Sequence, residues 1–522
     1  MKVLENYSYT RACLLVFLLV FLSSFPVYLN AANWQKIRFL DFAFPVMFSR
    51  ISPEFLPIYK HLDTEYLPIG DTLTWESTTQ EVLSEVAQEH VAREIFLTRA
   101  ELVTLRDIIY PTVTRLTILP SNDVPFDQNL VEITNRIFPE IEELVLAGNR
   151  LNDTEFALLA QSPLSFRIRV LDVSLNALTA HSIAHLASFT QLQALNLSTN
   201  IYLGDTGLYD LASITFLSEQ LRVLNLESTG ITPQGLSYLS DFTALRSLVL
   251  ASNNVGDRGL VHITQACFAP MLESLDLNDT GITAYGIREL VSCSFAQLQE
   301  LYLNENNDTL DSSHLEWLSF LARAPFAQNL RVLMLSNANL LRSDIETLRT
   351  SFPRLTVLNI AGNNLTAADL TILSEASFAT NLHALNVNNN PIQRQGNGIG
   401  IIALYFTRLR RLHASRTGLV NSDIAVLTTA PLAAYLQVLD ISHNAAIADE
   451  AFRYLAVMRA FPSLASLNIS YTGITRNALV FLVYCSFSAC LQELWVWGTI
   501  NQADLELILA HFPNLKKMPI FA

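Results

Sequence analysis

The chain has 522 residues, 50% of them hydrophobic and 16% charged, which allows a large apolar core and excludes wholesale disorder. Lys and Arg number 33 against 48 Asp and Glu, a formal net charge of −15 at pH 7. That balance argues against sequence-independent nucleic-acid binding, which needs a basic surface to displace counterions, and against docking on anionic lipid; five cysteines exclude a disulfide-dense scaffold.

In chain order, residues 1–32 come first. Lys2 and Arg11 stand around Glu5, residues 12–22 are apolar without a break, and Ser23, Ser24, Pro26 and Asn30-Ala31-Ala32 follow. A basic end, a short apolar run and small residues make the pattern of a secretory signal peptide. The run is too short to cross a hydrocarbon core about 30 Å thick. Extending it through residue 29 gives the alternative, an uncleaved membrane anchor over residues 12–29. Cleavage would start the mature chain near Ala32 or Asn33, with Leu29 or Asn30 at the −3 position. The expectation is a secreted or extracytoplasmic protein whose only membrane contact is this segment. Residues 33–112 read as an N-terminal helical capping region, with helices over 81–93 and 99–110.

From residue 113 a repeat dominates. Ile141-Glu-Glu-Leu144-Val-Leu146-Ala-Gly-Asn149-Arg-Leu151 sets the template LxxLxLxxNxL. It recurs in units opening at Ile168, Leu192, Leu221, Leu245, Leu272, Leu298, Leu330, Leu355, Leu382, Leu409, Leu436, Leu464 and Leu491. A degenerate unit opens at Val113, and residues 515–522 close the array as a C-terminal cap, so 113–514 is the repeat domain. The LxL portion alternates as a short strand does. The second half of each unit reads as helix: Thr232-Pro233 places a capping hydroxyl before a first-turn proline, Thr366-Ala-Ala-Asp369 resembles a capping box, and Thr283 and Thr475 suit the same role. Such units cannot bury their apolar faces alone and must stack. Parallel strands sit about 4.8 Å apart while helices need about 10 Å, so the strands line the concave side of an arc and the helices its convex side.

Position nine of the units reads Asn149, Asn176, Asn200, Thr229, Asn253, Thr280, Asn306, Ala338, Asn363, Asn390, Thr417, Asn444, Thr472 and Thr499. An amide there can satisfy backbone groups of adjacent turns and a hydroxyl does so less fully, so this ladder reads as structural. These features resemble a leucine-rich-repeat protein. Repeats of 24–29 residues with helical outer segments, and units such as Thr229-Gly-Ile-Thr-Pro-Gln-Gly-Leu236 and Thr280-Gly-Ile-Thr-Ala-Tyr-Gly-Ile287, resemble the ribonuclease-inhibitor-like subclass. The resemblance implies an α/β horseshoe that binds other proteins through its concave face; it does not name the partner.

On that face most positions are small and polar, the composition of a solvated surface. Two stretches depart from it. One is acidic, with Asp172, Glu227, Asp276, Asp279 and Glu305, and Tyr302 lies among them; it suits a basic or mixed-charge protein ligand. The other holds His413, Arg416, His443, Tyr471, Trp495 and Trp497, residue types enriched at binding hot spots, although the two tryptophans also suit packing against a cap. Cys267, Cys293 and Cys485 read as buried free thiols, with a Cys267–Cys293 bridge as the alternative. Asn152, Asn196, Asn278, Asn307, Asn364 and Asn468 head N-x-S/T triplets, and glycans on Asn196 or Asn468 would block the inner strands. No phosphate loop, zinc-ligand pair or nucleophile elbow occurs, so no enzyme, cofactor or metal is expected. Pro53-Glu-Phe-Leu56, Tyr59, Leu62-Asp63 and Trp75 faintly resemble an F-box, which implies an intracellular ubiquitin-ligase substrate receptor as one alternative. A GTPase-activating horseshoe is another, though no arginine singles itself out for it.

Overall fold

The computed structural model describes residues 72–74, 94–105, 109–121, 124–292, 295–306, 317–394, 396–458, 460–496 and 512–515. Within them one sheet has seventeen strands: β1 (Thr72–Thr74), β2 (Glu94–Thr98), β3 (Arg115–Leu119), β4 (Glu143–Val145), β5 (Val170–Asp172), β6 (Ala194–Asn196), β7 (Val223–Asn225), β8 (Ser247–Val249), β9 (Ser274–Asp276), β10 (Glu300–Tyr302), β11 (Val332–Met334), β12 (Val357–Asn359), β13 (Ala384–Asn386), β14 (Arg411–His413), β15 (Val438–Asp440), β16 (Ser466–Asn468) and β17 (Glu493–Trp495). All pair in parallel, each with the next in the chain, and the register never slips: Leu144 meets Leu171, Leu171 meets Leu195, and Leu195 meets Leu224. Helices fill the connections. This is the α/β leucine-rich-repeat solenoid that the resemblance implies.

The expected alternation separates two faces. The central leucines of β5 to β9, Leu171, Leu195, Leu224, Leu248 and Leu275, are wholly buried toward the helices. Residues flanking the central leucines point the other way and form clusters of their own: Val170, Ala194 and Val223 on β5 to β7, and Tyr302, Val332, Met334, Val357 and Ala384 on β10 to β13. The sheet reaches further toward the N-terminus than the repeat template does. β2 occupies residues that received no element from the sequence, and it pairs along its full length with β3. The helix read over 99–110 is shorter than expected: it runs over Arg99–Thr104, opened by a Thr98–Glu101 capping box and ended at Leu105, and Ile109 and Tyr110 are not helical. The helix read over 81–93 lies outside the described residues, as do the leader and most of the F-box-like segment.

The asparagine ladder does what an amide allows. Asn253 Nδ2 donates to Leu226 O at 2.6 Å in the previous unit and to Leu250 O at 3.0 Å in its own, while its Oδ1 accepts from Thr229 and Ile231 N–H, each at 3.1 Å. Asn390 and Asn444 repeat the pattern. The hydroxyls of Thr229, Thr280, Thr417 and Thr472 each donate to a carbonyl of their own turn, at 2.6–2.7 Å, and among the described residues do not reach the neighbouring unit as the amide does.

Helix starts reveal a second link between units. Thr232, Thr283 and Thr475 cap as expected, their Oγ1 accepting from the N–H two residues on. Each also gives its own N–H and Oγ–H to the two carboxylate oxygens of an aspartate in the preceding unit: Asp205, Asp257 and Asp449, at 2.6–2.8 Å. Asp153 holds Thr179 in the same way. Where that aspartate is missing, the link turns inward. Asp369 Oδ2 accepts both the N–H and the Oγ–H of Thr366, at 2.9 and 2.8 Å. The Thr366 N–H to Asp369 bond is the return bond of the capping box expected here.

A phenylalanine column, unremarked in the sequence, runs behind the leucines. Phe138, Phe189, Phe242, Phe295, Phe352, Phe406 and Phe461 stand three residues before a unit opens; Phe268, Phe326 and Phe378 stand four before. All are at most 1% exposed. The two offsets alternate because the connections alternate. The 3₁₀ turns Pro163–Phe166, Ala269–Met271, Pro325–Gln328, Ala379–Asn381 and Pro431–Ala434 precede β5, β9, β11, β13 and β15, and the short helix Thr215–Gln220 takes that place before β7. A tighter turn feeds the even-numbered strands from β4 to β16; before β6 and β8 it follows 3₁₀ stretches, Ala184–Ser188 and Ser237–Leu239, that continue the helix of the unit.

Candidate functional site

Every described unit from β4 to β16 turns through the left-handed region just before position nine. The residues are Gly148, Leu175, Thr199, Ser228, Ser252, Asp279, Glu305, Asn337, Gly362, Asn389, Arg416, His443 and Tyr471, with φ between 48° and 68°. The turn aims the N–H of that residue at the next unit. Asn389 N donates to Ser415 O at 2.8 Å, Arg416 N to Ser442 O at 3.2 Å and His443 N to Ser470 O at 2.8 Å. The lateral bonding thus outlasts the three-residue strands, and the side chains at this position form a row along one rim of the sheet. Non-glycine residues rarely adopt this conformation, Asn and Asp most readily among them.

Asp279, Glu305, Arg416, His443 and Tyr471, all singled out in the sequence, belong to this row. Glu305 is exposed and its Oε1 accepts from Asn337 Nδ2 at 2.6 Å; Asp279 is half-buried. Arg416, His443 and Tyr471 are exposed on consecutive units. The imidazole and phenol rings stack, with centroids 4.4 Å apart and planes 18° from parallel. Partial burial and the neighbouring Arg416 guanidinium hold the His443 pKa below its ordinary value, against the opposing pull of Asp440.

The strand positions behave differently. Asp172, Asp276 and Tyr302 are buried, at 7%, 8% and 3% exposure, where the sequence suggested a solvated surface. Strands about 4.8 Å apart set such side chains shoulder to shoulder. Asp172 accepts from Asn196 Nδ2 at 3.0 Å and from Ser174 N–H at 2.9 Å, which also engages the Asn196 amide. Burial pushes the Asp276 carboxyl up to about 8, helped by the Glu227 charge and opposed by the Asn278 N–H. The Tyr302 hydroxyl donates to Glu300 at 3.2 Å, and burial with the nearby acids pushes its pKa well up. Glu227 is half-buried.

Toward the C-terminus the face opens. The last residue of each strand is buried from β5 to β11 and half-exposed from β12 to β17. There His413 Nδ1 lies 3.8 Å from Asp440 Oδ2 on the neighbouring strand. Burial would raise the Asp440 pKa, but His413 and the Ser442 donors outweigh it and hold it below the usual range. Ser442 Oγ reaches Ser415 Oγ at 3.0 Å. Trp495 is half-buried; Trp497 lies outside the described residues. The sequence missed Asp440 as the partner of His413, although equal offsets within consecutive units placed them side by side.

Cys485 is buried, and burial pushes its thiol up to about 12; Cys267 and Cys490 are free and exposed. Cys267 thus departs from its reading as a buried thiol, because it falls past the end of helix Gly256–Gln265, and it is not bridged. Among the described residues no helix is long and apolar enough to cross a membrane.

Residues 219–240, 243–263 and 433–456 match the family described as Leucine Rich repeat. No curated protein matches the chain in sequence. Among solved structures, one chain from the complex of Rad7 and Elc1 in yeast is 15% identical with a TM-score of 0.46, the match covering 77% of this chain and 86% of that one. An internalin (InlF) from Listeria monocytogenes is 17% identical with a TM-score of 0.28, over 85% of this chain and 94% of that one.

Proposed function

We propose that this leucine-rich-repeat protein is a non-enzymatic scaffold of the ribonuclease-inhibitor-like subclass, exported or membrane-tethered, which binds a protein partner on the helix-free face of β12 to β17. The observation that carries the reading is the change in exposure along that face, from buried strand ends through β11 to accessible ones afterwards. A sheet held by lateral bonds presents these side chains already ordered, which lowers the entropic cost of association. The subclass rests on the unit length and the helical connections, and the export on the pattern of residues 1–32.

The test is photo-cross-linking in the source cells. A benzoylphenylalanine at Asn386, on the accessible end of β13, should give discrete protein adducts. The same probe at Tyr285, 60% exposed on a helix, should give none. Adducts from position 285 alone would overturn the assignment of the face. N-terminal sequencing of the same preparation should start near Ala32 or Asn33 for the secreted form, or at Met1 in the membrane fraction for the anchored one. An intact Met1 in the cytosol would overturn export.

A further inference from the structure

Resting on that scaffold reading, we propose that the Arg416–His443–Tyr471 row docks an acidic segment of the partner, a glutamate or aspartate pairing with Arg416 while a flat side chain beside it lies against Tyr471. Three observations converge. First, the left-handed backbone here suits glycine or asparagine best, as at Gly148, Gly362 and Asn389; other residue types, Leu175 and Glu305 among them, also stand at this position, but only Arg416, His443 and Tyr471, with φ of 54–56°, place a guanidinium and two rings there on consecutive units. Large side chains are held there against the conformational preference, and they do not fill the core, since Tyr471 is 46% exposed. Second, the His443–Tyr471 stack at 4.4 Å fixes both rings before a ligand arrives, and exposed planar groups of this kind with an arginine are typical anchors.

Third, the charges select the occupant. Arg416 is the one cationic side chain of the row apart from any protonation of His443, and among the described residues its guanidinium has no hydrogen-bonded partner. The Asp440 carboxylate beneath is engaged by His413 and Ser442. β14 adds Arg411 and His413 on the same face. On a chain of net charge −15, an acidic segment is repelled from most of the surface and accepted at this basic spot. The alternative contact for a basic partner is weaker: Asp172 and Asp276 are buried, and Glu305 is held by Asn337.

The test uses the full chain and a fluorescein-labelled twelve-residue peptide of alternating Glu and Tyr, with a Lys-Tyr peptide as control, followed by anisotropy at low salt. Glycine suits the backbone at these positions, so Arg416→Gly and Tyr471→Gly should keep or raise the melting temperature. The expected result is binding of the acidic peptide, weakened about tenfold by Arg416→Gly and several-fold by Tyr471→Gly, with Arg416→Glu favouring the Lys-Tyr peptide. Millimolar inorganic phosphate should not displace the peptide. Absence of binding, equal binding by Arg416→Gly, or full displacement by phosphate would overturn the inference. If cross-links at position 386 persist in that case, the scaffold reading stands without it; loss of both removes both.

Discussion

Asp276 shows how far a single residue can depart from its expected behaviour. Its carboxyl accepts the Asn278 N–H at 2.9 Å, but burial dominates and raises its pKa to about 8, against about 3.9 in an unfolded chain. The folded state therefore binds the extra proton between those values. The stability it contributes is complete below about pH 4 and declines as the pH climbs toward 8. Asp276→Asn should match the parent near pH 4 and exceed it at pH 8, on the order of 2 kcal/mol, in paired urea titrations. A difference that stays constant with pH would refute this. Residue identity was legible in the sequence, and exposure was not. Asp172, Asp276 and Tyr302 stand where the template places solvated positions, and whether such a position is covered depends on its neighbours two and three strands away. The rim row was legible only as residue types. The left-handed backbone that displays Arg416, His443 and Tyr471 follows from the lateral N–H bonding, which no single unit reveals.

At the scale of elements, strands and helices followed from the pattern, and the links between them did not. Thr283 reads as a cap in any sequence inspection, but its second partner, Asp257, lies a full unit earlier at 2.7–2.8 Å. Asp257→Ala leaves a half-buried N–H and hydroxyl without their acceptor and should loosen the junction of helices Gly256–Gln265 and Ala284–Ser292 by about 1–2 kcal/mol. Glu289→Ala on the exposed surface of the second helix should stay within about 0.5 kcal/mol. Native-state hydrogen exchange reads both, and equal protection in the two variants would refute the link. The phenylalanine column is hidden in the sequence by its own spacing. Its distance from the leucine template switches between three and four residues, so a fixed offset blurs it, and only the alternating connections show why both offsets reach the same layer.

For the whole molecule, the alternation makes two consecutive units the true period. Excising residues 245–297 joins the tight turn after Phe242 to a strand that normally follows such a turn, so the shortened chain should fold with cooperative thermal unfolding. Excising 245–271 joins the same turn to a strand built to follow a 3₁₀ connection. That mismatch should displace a column phenylalanine and cost about 3 kcal/mol or more at the junction, visible as lost protection there. Equal stability of the two deletions would show that the connectors are interchangeable. Units contact only their neighbours in such an array, so neither cut should disturb β12 to β17.

The paired period also restricts how this architecture can be lengthened. Duplication of one unit would misphase the connectors, whereas duplication of two would pass without penalty. Each such event adds two strand spacings, so the span over which the molecule can measure a ligand grows in increments of about 10 Å, like a ruler graduated in double divisions.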